Sequence, residues 1–217
     1  MPLYKKKHIN TGSQLAVWKI TEPLDQLASE VQLNYTNEIR FAGMKSEMHQ
    51  RAFLSVRKLM AVFGYTDFDL SYDEFGKPNL NDGKHISITH SHNFSAILIS
   101  DQYVGIDIEL ARDKIIRIAD KFAVSEMRFL NASSEDHIQK LTVIWGIKES
   151  IFKIRNEAGI SFKDNISVLP FEMKDNCAIG KLDFNGIQAD FRIGFETFED
   201  FVLVYAFYAQ QPTHNFT

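Results

Sequence analysis

Val104-Gly105-Ile106-Asp107-Ile108-Glu109-Leu110 alternates apolar and polar residues over seven positions, a period of two that predicts a β-strand. On that strand Val104, Ile106, Ile108 and Leu110 point one way, toward the expected core, and Gly105, Asp107 and Glu109 point the other way. Residues two apart on a strand stand roughly 6.5–7 Å from each other, so two carboxylates lie side by side on one face. Like charges that close call for a cation between them, and hard oxygens select Mg²⁺, Mn²⁺ or Ca²⁺. Gly105 leaves space on that face for something bulky to approach. The ordinary alternative for an isolated D-x-E is a solvated polar face.

Outward from this strand, the pattern sorts into two halves. Ile86-Ser87-Ile88-Thr89-His90 alternates at period two, and Phe94–Ile99 reads as its antiparallel neighbour. Phe75-Gly76-Lys77-Pro78 is a turn with a basic residue inside it. Met48, Ala52, Val56, Leu59 and Phe63 recur at three- and four-residue intervals and predict a helix from about Ser46 to Phe63. Leu15–Ile20 reads as a first strand, with Thr21 or Asp25 available to start a helix. Beyond residue 110, Ile115, Ile118, Phe122 and Phe129 mark a helical face. A further helix is expected from about Gln139 to Arg155, then strands at 191–195 and 201–208. The order predicts an α+β fold of two similar subdomains, related by a pseudo-twofold, over residues 1–102 and 103–217.

At 217 residues, 45% hydrophobic and 24% charged, the chain has the composition of an ordinary globular protein with a substantial core. A net charge of −4 disfavours nucleic acid as a partner. No apolar run approaches the roughly 18 residues of a membrane span. The lone Cys177 excludes an internal disulfide and a cysteine-based zinc site, which fits the cytoplasm. Lys5, Lys6 and Lys7 read as a solvated basic tail.

Two further segments carry candidate chemistry. In Trp145-Gly146-Ile147-Lys148-Glu149-Ser150-Ile151-Phe152-Lys153 a helix places Glu149 and Lys153 one turn apart. They are either a surface ion pair, or a third carboxylate for a metal and a cation for a phosphate. In Ile88-Thr89-His90-Ser91-His92 the histidine at the strand end is either structural or a donor to a phosphate.

Taken together and in this order, the G-K-P turn, the T-H-S strand, the G-I-D-I-E strand and the W-G-I-K-E-S-I-F-K helix resemble the surfactin-type, two-halved 4′-phosphopantetheinyl transferases. The motifs span roughly residues 45–153. Thr89 stands where the family commonly has serine, and His92 where a small residue is frequent.

The resemblance implies a magnesium enzyme, with manganese as an alternative ion. It would move the phosphopantetheine arm of coenzyme A onto a serine of an apo acyl or peptidyl carrier protein and release 3′,5′-ADP, as a holo-acyl-carrier-protein synthase does. It implies Asp107, Glu109 and Glu149 as metal ligands, and Glu149, Lys153 and Glu126 as catalytic residues, Glu126 being either the base or a helix-start carboxylate. It implies Thr89, His90, Lys77, Lys148, Lys153, Arg57 and Lys45 as contacts to coenzyme A, with His49 near its 3′-phosphate. A monomer in the cytoplasm is expected, because two halves in one chain build the site without a second copy.

Arg112, Lys114, Arg117, Lys121 and Arg128 follow the carboxylate strand, and on an α-helix Lys114, Arg117 and Lys121 share a face. That face is either simply solvated or a dock for an acidic carrier. A non-catalytic coenzyme A or carrier-binding protein is the rival reading, but every charged position the chemistry needs is present. A nucleotide pyrophosphatase would need a glutamate-rich helix that the sequence lacks.

Overall fold

The computed structural model describes residues 2–210 and divides into two compact units, one ending at Gln102 and the other beginning at Tyr103. The α+β class is found in each: an antiparallel sheet with a long helix laid on it.

The first unit is built on strands β1 (Leu3–Asn10), β2 (Ser13–Lys19), β3 (Leu70–Tyr72), β4 (Pro78–Leu80), β5 (His85–Ser91) and β6 (Phe94–Ser100). Their order in the sheet is β1-β2-β6-β5-β4-β3. The lysine-rich start is therefore an edge strand instead of a loose tail. Its side chains alternate between half-buried and exposed, and Lys6 lies over the Phe63 ring while donating to the Val62 carbonyl. Charged residues on such an edge discourage pairing with another chain. Helix α1 (Leu24–Glu30) and helix α2 (Tyr35–Ala42) precede α3 (Glu47–Ala61), which follows the predicted span closely. Ala52, Leu54, Val56, Leu59 and Met60 of α3 join Ala16, Trp18, Ile97 and Ile99 of the sheet in one core. The Ser55 and Ser95 hydroxyls meet at 2.8 Å within it.

The second unit has strands β7 (Val104–Leu110), β8 (Ile166–Val168), β9 (Cys177–Phe184), β10 (Ile187–Phe198) and β11 (Phe201–Tyr208), in the order β7-β11-β10-β9-β8. Helix α4 (His137–Arg155) crosses this sheet. Between β7 and α4 the expected helix is instead wound as two 3₁₀ segments, Asp113–Lys121 and Glu126–Arg128. In 3₁₀ winding, residues three apart eclipse one another. Lys114 and Arg117 therefore stay in one column, while Lys121 moves to another. Among the described residues no helix is long and apolar enough to cross a membrane.

β7 alternates as its sequence demands, but the sense of the alternation is the reverse of expectation. β11 pairs Ala206 with Gly105, Val204 with Asp107 and Val202 with Glu109, and those three β11 residues belong to the core under α4. The carboxylate face is thus the helix-covered face. Ile106 and Ile108, on the opposite side, are fully buried as well.

Candidate active site

What approaches Gly105 is the protein itself. A Cβ there would collide with the backbone carbonyl of Ser150, so only glycine lets α4 come this close to β7. Gly146 makes the matching concession on the helix: a Cβ would press on Val204 and come to 3.7 Å from the Asp107 carboxylate. Gly146 escaped the sequence reading as a site residue. The available signal was a glycine inside a helical pattern, where it costs about 1 kcal/mol relative to alanine.

This close crossing brings the α4 face carrying Glu149, Ser150 and Lys153 onto Asp107. The Lys153 ammonium donates to Asp107 Oδ1 at 2.8 Å and to the Ile106 carbonyl at 2.8 Å. Asp107 is 7% exposed at its side chain and Lys153 28%. Burial pushes the Glu149 carboxyl up to about 7, and the Asp107 and Glu109 charges push the same way against the pull of Lys153. Asp107, Glu109 and Glu149 therefore share one electrostatic field with one ammonium inside it.

In kind and charge these oxygens suit a hard divalent ion. Their present arrangement is not a coordination shell: among the described residues no group of three or more His, Cys, Asp or Glu side chains is placed to hold an ion.

Glu126 and Lys148 take other positions than expected. Both side chains are fully buried, and they pair with each other at 3.0 Å. Lys148 also donates to the carbonyls of Phe122 (2.5 Å), Phe162 (2.9 Å) and Ile166 (2.6 Å). Glu126 accepts from the Val168 amide at 2.9 Å. Burial pulls the Lys148 ammonium below its ordinary value. A lysine sealed this way cannot reach coenzyme A, and a sealed Glu126 cannot take a proton from an incoming hydroxyl. Together they tie the 3₁₀ segments and β8 to α4, beside Trp145, which packs on the Phe122 and Phe162 rings.

In the first unit Arg57 is likewise internal. Its Nε pairs with Asp67 at 2.8 Å, with side chains 4% and 0% exposed, and its guanidinium lies over the Phe53 ring. Asn37 donates to both oxygens of the same Asp67. The expected coenzyme A contact is a strut of the fold. Lys45 and His49 are exposed, and the His49 ring lies 6.0 Å from that of the exposed His90. Thr89, next to His90 on β5, is buried. Lys77 is half-buried in its turn, where Gly76 takes the left-handed backbone (φ 82°).

Comparison with known proteins agrees with the motifs. Residues 103–206, from the start of the second unit into β11, match the 4′-phosphopantetheinyl transferase superfamily. A relative, the 4′-phosphopantetheinyl transferase gsp of Aneurinibacillus migulanus, is 34% identical over 83 residues. That stretch is 37% of this chain and spans 35% of the relative's length. Over residues 103–206, within its second unit, the chain is thus similar to the 4′-phosphopantetheinyl transferase superfamily.

Proposed function

We propose that the chain transfers 4′-phosphopantetheine from coenzyme A to a serine hydroxyl of an apo acyl or peptidyl carrier protein, releasing 3′,5′-ADP. The observation that carries this reading is the meeting of Asp107, Glu149 and Lys153 at the β7–α4 crossing, inside the stretch that matches the superfamily. The activity in the relative's name supports the same reaction class.

The reaction joins the serine oxygen to the pantetheine-bearing phosphorus, breaks that phosphorus's bond to the oxygen bridging it to the adenylate phosphate, and passes the serine hydroxyl's proton to the departing 3′,5′-ADP or to solvent. Negative charge builds on the departing oxygen, and a positioned cation lowers that barrier. Lys153 is suited to the task, being partly exposed on a flexible stem. Asp107, Glu109 and Glu149 are the residues that would hold Mg²⁺ or Mn²⁺, which when bound supplies charge neutralisation on the diphosphate. The exposed Lys45, His49 and His90, with Lys77 and Thr89, are assigned to the phosphates of coenzyme A. Lys148, Glu126 and Arg57 are assigned to holding the fold.

The carrier surface in this reading is the exposed basic set Arg112, Lys114, Arg117, Lys121 and Arg128. Around it Ile116, Val124 and Met127 are each 47% exposed, a mixture that suits an acidic partner with an apolar anchor. Arg117→Glu with Lys121→Glu should raise KM for the carrier at low salt without changing KM for coenzyme A. An unchanged carrier KM removes this surface from the proposal. The same reading has the chain acting as a monomer in the cytoplasm.

The reaction itself is tested by mixing the protein with an apo carrier, coenzyme A and Mg²⁺ and weighing the carrier by mass spectrometry. The carrier should gain the phosphopantetheine arm, and chelator or Glu149→Ala should abolish the gain. A carrier of unchanged mass, across acyl and peptidyl carriers, overturns the proposal.

A further inference from the structure

We infer that Lys153 is the built-in counter-ion of the carboxylates at the β7–α4 crossing, and that a divalent cation enters by displacing its ammonium from Asp107. The inference rests on the metal reading proposed above and adds the order of events at Asp107.

Asp107 is nearly sealed, and a carboxylate taken out of water needs a positive partner. Lys153 supplies it, with its ammonium anchored at 2.8 Å on both the Asp107 oxygen and the Ile106 carbonyl. The carboxylates around it are Glu149, from the same helix, and Glu109, from the same strand as Asp107. With an ammonium against Oδ1, a divalent ion on that oxygen would face a full positive charge at contact distance. The arrangement is closed on lysine.

The same lysine is free to leave. Its side chain is 28% exposed, against 7% for Asp107, and its four-carbon stem lets Nζ travel without moving α4. Entry of a divalent ion would therefore do two things in one event. It would open the carboxylate set and release the ammonium toward whatever anion the site receives. Lys153 thus acts as a positioning residue for Asp107 before the ion binds, and as a mobile cation once it is bound.

The test is Mn²⁺ binding, followed by isothermal titration on the full chain without coenzyme A, for the wild type and for Lys153→Met. Removing the competing ammonium should tighten Mn²⁺ binding by roughly tenfold or more, the scale of one charge pair in a partly buried site. In chelator, the Met variant should melt below the wild type, and saturating Mn²⁺ should raise its melting temperature by more. Lys153→Arg, which keeps a positive charge there, should bind Mn²⁺ more weakly than Lys153→Met.

Equal or weaker Mn²⁺ binding by the Met variant overturns the inference while leaving the metal reading in place. Failure of both proteins to bind Mn²⁺ overturns the metal reading and the inference together. A measurement on the wild type alone guards against a variant that does not fold. Acylation of Lys153 by a water-soluble amine reagent, quantified by peptide mass spectrometry, should speed up several-fold on adding Mg²⁺. An unchanged rate counts against displacement.

Discussion

Replacing Lys148 with methionine should unfold the second unit far more readily while leaving the affinity for coenzyme A untouched. The lysine ammonium is fully buried and touches four acceptors: Glu126 and the carbonyls of Phe122, Phe162 and Ile166. Methionine fills a similar volume, so the cost is electrostatic. It strands the Glu126 carboxylate with the Val168 amide as its remaining hydrogen bond, and it leaves three carbonyls without that donor. Breaking a buried pair from one side costs about 3–5 kcal/mol.

With a urea slope of about 2 kcal/mol per molar, the midpoint should fall by roughly 2 M. Adding Glu126→Gln removes the stranded charge and still accepts from Val168, so the double variant should recover about 2 kcal/mol. Full recovery is not expected, because the carbonyls stay unsatisfied. Trp145, packed on Phe122, reports this unit's unfolding when Trp18 of the first unit is changed to phenylalanine. A single-variant loss below about 1 kcal/mol would refute the strut argument. So would a double variant no more stable than the single one, or a raised KM for coenzyme A in properly folded Lys148→Met.

Other consequences follow from the same geometry. The Glu149 carboxyl, raised to about 7, keeps its proton in the folded, metal-free protein over the range where the unfolded chain has lost it. Stability in chelator should therefore fall as pH rises from about 4.5 to 7 and level off above, by on the order of 3 kcal/mol. Glu149→Gln should flatten that slope in thermal melts, and a slope that persists in the variant would assign it elsewhere. Gly105→Ala places a methyl against the Ser150 carbonyl, so it should cost about 3 kcal/mol in urea unfolding, the upper end of overpacking, and depress transferase turnover by shifting α4. A variant as stable as the wild type would show that the crossing relaxes freely. Arg57→Met leaves Asp67 buried without its guanidinium and should destabilise the first unit by about 3 kcal/mol, read from Trp18 fluorescence. A changed KM for coenzyme A with normal stability would restore its assignment as a ligand contact.

Much of the fold was legible because periodicity is a local property. The β7 and β11 spans and the approximate extents of α3 and α4 were readable from alternation or three-to-four spacing. β1 was hidden because Lys5, Lys6 and Lys7 obscure the alternation between its half-buried and exposed sides. The 3₁₀ winding after β7 was not legible, since the same apolar spacing suits an α-helical face.

By itself, the sequence determined most of the elements, the placing of Asp107 and Glu109 on one strand face, and the one-turn spacing of Glu149 and Lys153 along one helix. These depend on residues a few positions apart, whose relation the backbone repeat dictates. Only the tertiary structure decided which face of β7 lies under α4, because an alternating strand buried on both sides carries no sign of which layer covers which face. Only the tertiary structure separated Lys153 from Lys148 and Glu149 from Glu126. A charged residue does not announce its partner, and the partners that bury Lys148 come from residues 122, 126, 162 and 166, brought together when the chain folds around α4.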